Sequence, residues 1–154
     1  MVMKNKINKQ QEIVHTLLEI MEKSTAAGKK AMHFGTNSLL HPSEIHMIAS
    51  IAESQDPHII GLAKELGVTK GAVSQIVKKL ERKGTIKRNI DTNNRSKYLL
   101  ELTPKGLLAY KEHIKFHQSV DSAFLHIFEK LPDDRIEQVL QIFREINNEI
   151  EKFF

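Results

Sequence analysis

Apolar side chains recur every three or four residues through most of the chain, which predicts a mainly helical protein. The clearest stretch predicts two short helices, at residues 59–66 and 70–83, separated by a tight turn. We expect Thr69 to cap the second helix, and both Leu66 and Val68 to face the core. The apolar positions of the second helix follow the i, i+3, i+4, i+7 spacing of one helical face: Val73, Ile76, Val77 and Leu80. The pattern therefore predicts a helix-turn-helix.

A stretch of alternating polar and apolar residues follows the helix-turn-helix. It predicts two short strands, at residues 85–90 and 97–102, joined by a polar tip at residues 91–96. Arg88 falls on the same face as two isoleucines, and the alternation does not explain it. A helix-turn-helix with a two-stranded wing is built to place one helix in the major groove of DNA and one loop beside it.

Proline and glycine residues divide the rest of the chain into four further helices. The first is predicted over residues 8–30, and the second starts at Pro42 with Ser43 as its N-cap. A longer helix is predicted to start at Pro104, behind Thr103 as its N-cap. A final helix closes the chain.

Both terminal helices carry a long apolar stripe. On the final helix the stripe consists of Ile136, Val139, Leu140, Phe143, Ile146, Ile150 and Phe153. A domain this small has too little core to cover such stripes, so we expect them to form the interface of a homodimer; packing within one chain is the alternative. The predicted fold is mainly α with a small two-stranded β wing. A winged helix-turn-helix lobe at residues 45–106 is flanked by dimerisation helices at residues 7–40 and 107–154, within a single domain at residues 1–154.

Positive charge is concentrated in the segment that is predicted to read DNA. The formal net charge of the whole chain is +4. Residues 59–106 contain 11 Lys and Arg against 4 Asp and Glu, whereas residues 107–154 contain 6 against 9. Clustered basic charge on one motif is the electrostatic footprint of a nucleic-acid-binding protein.

The composition argues against several other classes of protein. The chain has no cysteine, which excludes disulfides, cysteine catalysis and thiolate zinc sites. It has neither an apolar run of about 18 residues nor a signal-peptide pattern, so we expect no membrane span and a cytoplasmic protein. It also lacks a glycine-rich phosphate loop, a nucleophile elbow and paired carboxylates in a histidine-rich cleft, so we expect it not to be an enzyme.

Three stretches carry a resemblance to a known family: Leu62-Ala63-Lys64-Glu65-Leu66-Gly67-Val68-Thr69, Ala72-Val73-Ser74 through Leu80-Glu81-Arg82-Lys83-Gly84, and Leu102-Thr103-Pro104-Lys105-Gly106. Together with the order of the helices, they resemble the MarR family of winged-helix transcriptional regulators over essentially the whole chain. The resemblance implies a homodimeric repressor that binds double-stranded DNA at a pseudo-palindromic operator and responds to an effector. One departure concerns the family's Asp-x-Arg-Asp-x-Arg wing tip. Asp91 is kept here, but Asn93, Asn94 and Ser96 replace the other three residues.

Side chains on the outer faces of the recognition helix and the wing are the candidates for DNA contact. The candidates for base contact are Thr69, Lys70, Ser74 and Gln75. Among them, Gln75 can pair bidentately with adenine. The candidates for phosphate contact, which give affinity but little sequence preference, are Lys78, Lys79, Lys87, Arg88 and Lys97. The wing-tip candidates are Asn93, Asn94 and Arg95. A non-specific architectural DNA-binding protein is the alternative to a regulator.

Eight histidines occur in the chain, and three of them suggest a metal site. His113 and His117 lie four apart on a predicted helix, a spacing that suits one divalent metal. Resemblance to the zinc-responsive members of the family adds His46 and implies zinc as an effector rather than a required cofactor. Those members take a fourth, carboxylate ligand from the first helix; here His33, His41 or a water would replace it. Surface histidines without a metal, or a sensor of acidic pH, are the alternatives.

A small apolar or aromatic effector is the competing interpretation. It would bind in a cleft between the dimer helices and the DNA-binding lobe. The residues that could line such a cleft are Met32, Phe34, Leu39, Leu40, Tyr110 and Phe116. Ordinary packing in the core is the alternative role for these side chains.

Overall fold

A computed structural model describes the backbone of residues 2–90 and 98–152 of the chain, and the side chains from Ile7 onward. Within these residues, six helices and two strands follow one another: α1 (Val2–Gly28), α2 (Pro42–Glu53), α3 (Ile59–Glu65), α4 (Lys70–Arg82), β1 (Ile86–Ile90), β2 (Tyr98–Leu102), α5 (Pro104–Phe128) and α6 (Asp133–Ile150). The predicted fold, mainly α with a two-stranded antiparallel wing, is confirmed. Of the described helices, none is long and apolar enough to cross a membrane.

The chain forms two compact units. The first comprises residues 1–113 and contains α1 to α4, both strands and the beginning of α5. The second comprises residues 114–154 and contains the rest of α5 together with α6.

The hydrophobic core of the first unit lies among α2, α3, α4 and the two strands. Helix α2 packs against α4 and β2, and α3 packs against α4. The buried apolar residues of this core are Leu40, Ile45, Met47, Ile48, Ile51, Leu62, Ala63, Val73, Val77, Leu80, Ile86, Leu100 and Ala109. Each fully buried Val, Leu, Ile or Met contributes about 1.5–3 kcal/mol relative to an exposed side chain, so this core fixes the orientation of α4.

The helix-turn-helix forms where the pattern predicts it, but its turn is held by backbone hydrogen bonds and not by buried apolar side chains. The Thr69 hydroxyl accepts a hydrogen bond from the amide of Ala72 at 3.2 Å, which confirms Thr69 as the N-cap of α4. The expectation that Leu66 and Val68 face the core is wrong, because their side chains are 41% and 46% exposed. Backbone hydrogen bonds close the turn instead, including one from the Val68 amide to the Ala63 carbonyl at 3.0 Å. Gly67 supplies the left-handed conformation, at φ 64°, that the turn requires.

Helix α2 begins behind a different cap from the predicted one. His41, not Ser43, is the N-cap, and Pro42 occupies the first helical position. Proline is favoured there because its missing amide hydrogen would have no partner inside the helix. The carboxylate of Glu44 reaches back to accept a hydrogen bond from the His41 amide at 2.8 Å, so Ser43 is not needed as a cap.

The two strands of the wing pair in antiparallel register, with Ile86 opposite Leu102 and Ile90 opposite Tyr98. Arg88 faces Glu81 of α4: Nη2 donates to Oε2 at 3.0 Å, and Nε lies 2.8 Å from Oε1. This ion pair explains why an arginine interrupts the apolar alternation of the first strand.

Helix α5 starts at Pro104, as predicted. The hydroxyl of Thr103 accepts a hydrogen bond from the amide of Gly106 at 3.2 Å, so the expected N-cap is confirmed. A Cβ on Gly106 would lie 1.9 Å from the carbonyl oxygen of Thr85, so only glycine lets α5 start this close to the wing.

The terminal helices bury almost nothing in one copy of the chain. No described residue of α1 or α6 is buried. Their exposed large apolar side chains are Ile7, Ile13, Val14, Leu18, Ile20 and Met21 on α1, and Ile136, Leu140, Ile142 and Phe143 on α6. A stripe of exposed apolar side chains on a helix is typical of a protein interface.

Candidate nucleic-acid interface and histidine cluster

Helix α4 separates its apolar face sharply from its polar face. Val73, Val77 and Leu80 are completely buried in the core. The candidates for DNA contact lie away from that face: Thr69, Lys70, Gln75, Lys78 and Lys79 are exposed, and Ser74 is half-buried. The structure therefore presents a polar, positively charged helix surface of the kind that a major groove accepts.

The two cations predicted on the first wing strand lie beside carboxylates of the same chain. The ammonium of Lys87 is 3.1 Å from Oε2 of Glu101, and Arg88 pairs with Glu81. Hydrogen bonds from Asn89 and from Lys87 lower the pKa of Glu101 below its usual value. Lys87 is half-exposed, so a phosphate could share its ammonium, whereas Arg88 is more enclosed. Their contacts with DNA stay predictions.

Residues 91–97, which comprise the wing tip and Lys97, lie outside the described residues. Four candidates for DNA contact fall there: Asn93, Asn94, Arg95 and Lys97. Their roles also stay predictions.

Lys83 links the end of α4 to the start of α2, a contact that no pattern in the sequence predicts. Its ammonium donates to both carboxylate oxygens of Glu44, at 2.7 and 2.6 Å, and to the carbonyl oxygen of Leu39 at 2.8 Å. Glu44 is only 2% exposed. Burial by itself would raise the pKa of this carboxyl, but the hydrogen bonds from Lys83 and from the His41 amide outweigh burial and lower the pKa. Glu44 therefore stays charged and paired.

A second lysine, Lys105 of α5, forms hydrogen bonds to residues at and beside this ion pair. The ammonium of Lys105 donates to the carbonyl oxygen of Lys83 at 2.8 Å and to the hydroxyl of Ser38 at 2.7 Å. Both lysines lie in stretches that carry the family resemblance. Nothing in the sequence places Glu44 beside them, because it lies 39 residues away from Lys83 along the chain.

Three predicted metal ligands come together. One ring nitrogen from each of His46, His113 and His117 lies within 4.8 Å of the others. His46 is on α2, whereas His113 and His117 occupy successive turns of α5. The rings of His46 and His113 are 5.4 Å apart, and His113 packs edge-on against Phe34 at 5.5 Å. His113 is only 8% exposed, whereas His46 and His117 are exposed to solvent.

The donor set of this histidine cluster fits zinc. Tetrahedral zinc with Zn–N bonds of about 2.0–2.1 Å holds its nitrogens about 3.4 Å apart, so these nitrogens would need to approach one another by at most about 1.4 Å. Neither His33 nor His41 belongs to the cluster, although both are described. A water is therefore the simpler of the predicted fourth ligands.

The residues proposed to line an effector cleft include core residues. Leu40 is completely buried, and Phe34 and Tyr110 pack against the same core. The Tyr110 hydroxyl donates to Oε1 of Glu53 at 2.9 Å, which raises the pKa of Tyr110. Leu39 and Phe116 are exposed. Core packing thus accounts for three of the six side chains without a ligand.

Residues 40–97, which span α2, the helix-turn-helix and most of the wing, match the model of the MarR family. Over these residues the chain is similar to the MarR family. MarR proteins are transcription regulators and not enzymes. The fold and the exposed recognition helix described above agree with this similarity.

Individual MarR-family regulators are similar to much of the chain. "Uncharacterized HTH-type transcriptional regulator YhjH" of Bacillus subtilis is 26% identical over 118 residues, which are 77% of this chain and 67% of the relative. The crystal structure of zinc-responsive ZitR from Lactococcus lactis has a TM-score of 0.73 at 22% identity, covering 92% of this chain and 98% of ZitR. FabT of Streptococcus pneumoniae, in complex with DNA, has a TM-score of 0.67 at 26% identity, covering 94% of this chain and 99% of FabT.

Proposed function

We propose that this protein is a transcriptional regulator that binds double-stranded DNA, and more narrowly a homodimeric repressor of a pseudo-palindromic operator. The observation that carries the proposal is the two-faced recognition helix α4. Its apolar side is locked into the core, while Lys70, Gln75 and Lys78 project outward. The DNA complex of FabT, whose fold is similar, supports a DNA-binding role for this chain.

Recognition would divide between base edges and phosphates. Gln75 would read adenine through its side-chain amide, whose nitrogen can donate to N7 of the base while its oxygen accepts from N6. Lys78 and Lys79 would contact phosphates and release counterions, which makes affinity depend on salt but hardly on sequence. The exposed amino end of α4, capped by Thr69, would add a favourable site for a phosphate.

The exposed stripe of α6 supports the homodimer. Side chains such as Leu140 and Phe143 are open to solvent in one copy of the chain and need a partner surface. A two-fold dimer would place two recognition helices in successive major grooves, roughly 10 base pairs apart. Such spacing is what a pseudo-palindromic operator provides.

Selection from a random duplex library tests the proposal against a non-specific architectural role. The library would be enriched on the purified protein, and the enriched duplex compared with a shuffled duplex of the same composition. A regulator should prefer the enriched sequence by roughly 10³-fold or more. Enrichment of an inverted repeat with half-sites about one helical turn apart would support the dimer. Equal affinity for the enriched and shuffled duplexes would leave only the architectural role.

We further propose zinc as the effector of this regulator. His46, His113 and His117 would hold the ion, with a water completing four-coordinate geometry. Bound zinc would supply a rigid cross-link between these side chains of α2 and α5. Because α2 is also tied to α4 by Glu44 and Lys83, His46 lies only two residues from the support of the recognition helix. The zinc-responsive character of ZitR favours this effector over an aromatic molecule.

Zinc titration tests this proposal through the zinc stoichiometry and the DNA affinity. Calorimetry should give one high-affinity zinc ion per chain, and zinc should change the affinity of the protein for its enriched duplex. The double variant His113→Ala/His117→Ala should lose both responses. His126→Ala is the matched control, because it removes an exposed histidine of the same helix that is not part of the cluster. If zinc binds to the double variant as it does to the original chain, or leaves DNA affinity unchanged, the metal proposal fails.

The predicted cytoplasmic location stays a prediction.

A further inference from the structure

His58 connects the loop between α2 and α3 to the wing. Its ring nitrogen Nδ1 lies 2.7 Å from the carbonyl oxygen of Tyr98, 40 residues further along the chain. Its other nitrogen, Nε2, lies 3.4 Å from Oδ1 of Asp56, and the side chain is only 12% exposed. The ring therefore bridges a fixed loop and the first described residue of strand β2.

The chemistry of these atoms sets the direction of the hydrogen bond. A carbonyl oxygen can only accept, so Nδ1 of His58 carries the proton and donates it to Tyr98. A second bond runs beside it, from the amide of Leu100 to the carbonyl of Pro57 at 2.9 Å. Strand β2 is thus paired with β1 along one edge and fastened to the loop at residues 57–58 along the other.

The position of this bond matters because of what precedes Tyr98. In the sequence, the wing tip with Arg95, and then Lys97, directly precede this residue. A constraint on the Tyr98 carbonyl therefore acts on the first described residue after the tip. His58 is the N-cap residue of α3, but its side chain makes no capping bond there, and its Nδ1 contacts Tyr98 of β2 instead.

We propose that His58 is a positioning residue for DNA binding: it fixes the start of strand β2, and with it the base of the wing, against the loop that precedes α3. The inference rests on the proposed DNA-binding function. Without the bond, β2 keeps its pairing with β1, but its outer edge keeps only one of the two anchors to the loop. The expected consequence is weaker binding of the wing to phosphate, with the recognition helix still able to bind.

The first test compares two substitutions of His58. Leucine fills similar space but cannot donate, whereas the amide of asparagine can place a donor near the position of Nδ1. His58→Leu should weaken binding to the enriched duplex by about 2- to 10-fold, the worth of one hydrogen bond. It should also lower the slope of log affinity against log salt by about one for each phosphate that the wing no longer neutralises. His58→Asn should recover most of both, and matched thermal unfolding should exclude a general loss of stability.

A double-mutant cycle separates a positioning role from a structural one. If His58 acts through the wing, His58→Leu should add little to the weakening already caused by Arg95→Ala, since both act on the binding of the same tip. Additive effects, or a His58→Leu variant with unchanged affinity and salt slope, would overturn the inference while leaving DNA binding intact. Failure of the original chain to prefer any duplex would instead overturn the proposed function.

Discussion

Two amphipathic helices of this molecule, α4 and α6, carry similar apolar stripes and have different surroundings. Helix α4 buries Val73, Val77 and Leu80 completely in the core of the first unit. Helix α6 buries none of its residues, and Phe143 is 52% exposed. A stripe therefore indicates that a helix needs an apolar partner, but not where that partner lies. For α4 the partner is the same chain, and its polar face is what remains for DNA. For α6 we propose a second copy.

The largest effect is expected when a charge is introduced into the apolar stripe of α6. Phe143→Asp should convert the dimer into a monomer, because a carboxylate cannot be buried unpaired in an apolar interface. A monomer engages one half-site at a time, so affinity for the enriched duplex should fall by about 10²-fold or more. Light scattering would report the mass, and fluorescence anisotropy the affinity.

The matched control for this substitution is Gln138→Asp. It introduces the same charge on an exposed residue of the same helix, away from the apolar stripe. It should leave both the mass and the DNA affinity near those of the original chain. A Phe143→Asp protein that remains dimeric would place the partner surface of the dimer elsewhere.

The next prediction concerns α4 and removes the ion pair between Lys83 and Glu44 that holds this helix against α2. Lys83→Met leaves the buried carboxylate of Glu44 without its cation, which should lower the free energy of unfolding by about 3 kcal/mol. Arg82→Met, at the neighbouring exposed position, should change it by less than about 0.5 kcal/mol. Urea unfolding at one protein concentration would measure both, since the proposed dimerisation would make stability depend on concentration. Equal stabilities would mean that the ion pair does not hold α4 in place.

The same ion pair predicts a dependence on pH with a definite sign. The pKa of Glu44 in the folded protein is lowered below the reference value of 4.5. The pair's contribution is therefore fully present above that reference pKa and is lost as the pH falls through the folded pKa. The stability advantage of the original chain over Glu44→Gln should be constant between about pH 7 and about pH 5.5 and shrink at lower pH. An advantage that grew in acid would contradict the lowered pKa.

The elements that depend on local pattern are the ones that the sequence predicted. The α4 helix, its Thr69 cap and the Thr103 cap of α5 follow from spacing and short-range hydrogen bonding, and the structure contains all three. Spacing also pointed to two histidines of the cluster, but only the family resemblance linked His46 to them. The pairing of His46 with His113 needs α2 and α5 to lie side by side, which no spacing rule encodes.

The errors and omissions arise where tertiary contacts replace local rules. Val68 is apolar and lies in a turn, so the pattern predicts it inside; backbone bonds close that turn and leave its side chain outside. Arg88 interrupts an alternating strand because it pairs with Glu81 of α4, which the strand pattern cannot reveal. Long-range pairs such as Lys83 with Glu44 carry no periodic signal, because the partners lie far apart along the chain.

The last and smallest expected effect distinguishes base contacts from phosphate contacts on α4. Gln75→Ala should cost about 1–3 kcal/mol at one base pair of the enriched duplex and leave the preference at other positions unchanged. Lys78→Ala, one turn further along, should weaken all duplexes about equally and lower the salt slope by about one. Competition among single-base variants of the duplex, repeated at several salt concentrations, separates the two. If Gln75→Ala also weakened every duplex equally, the base-reading face of α4 would have to be reassigned to Lys70 and Ser74.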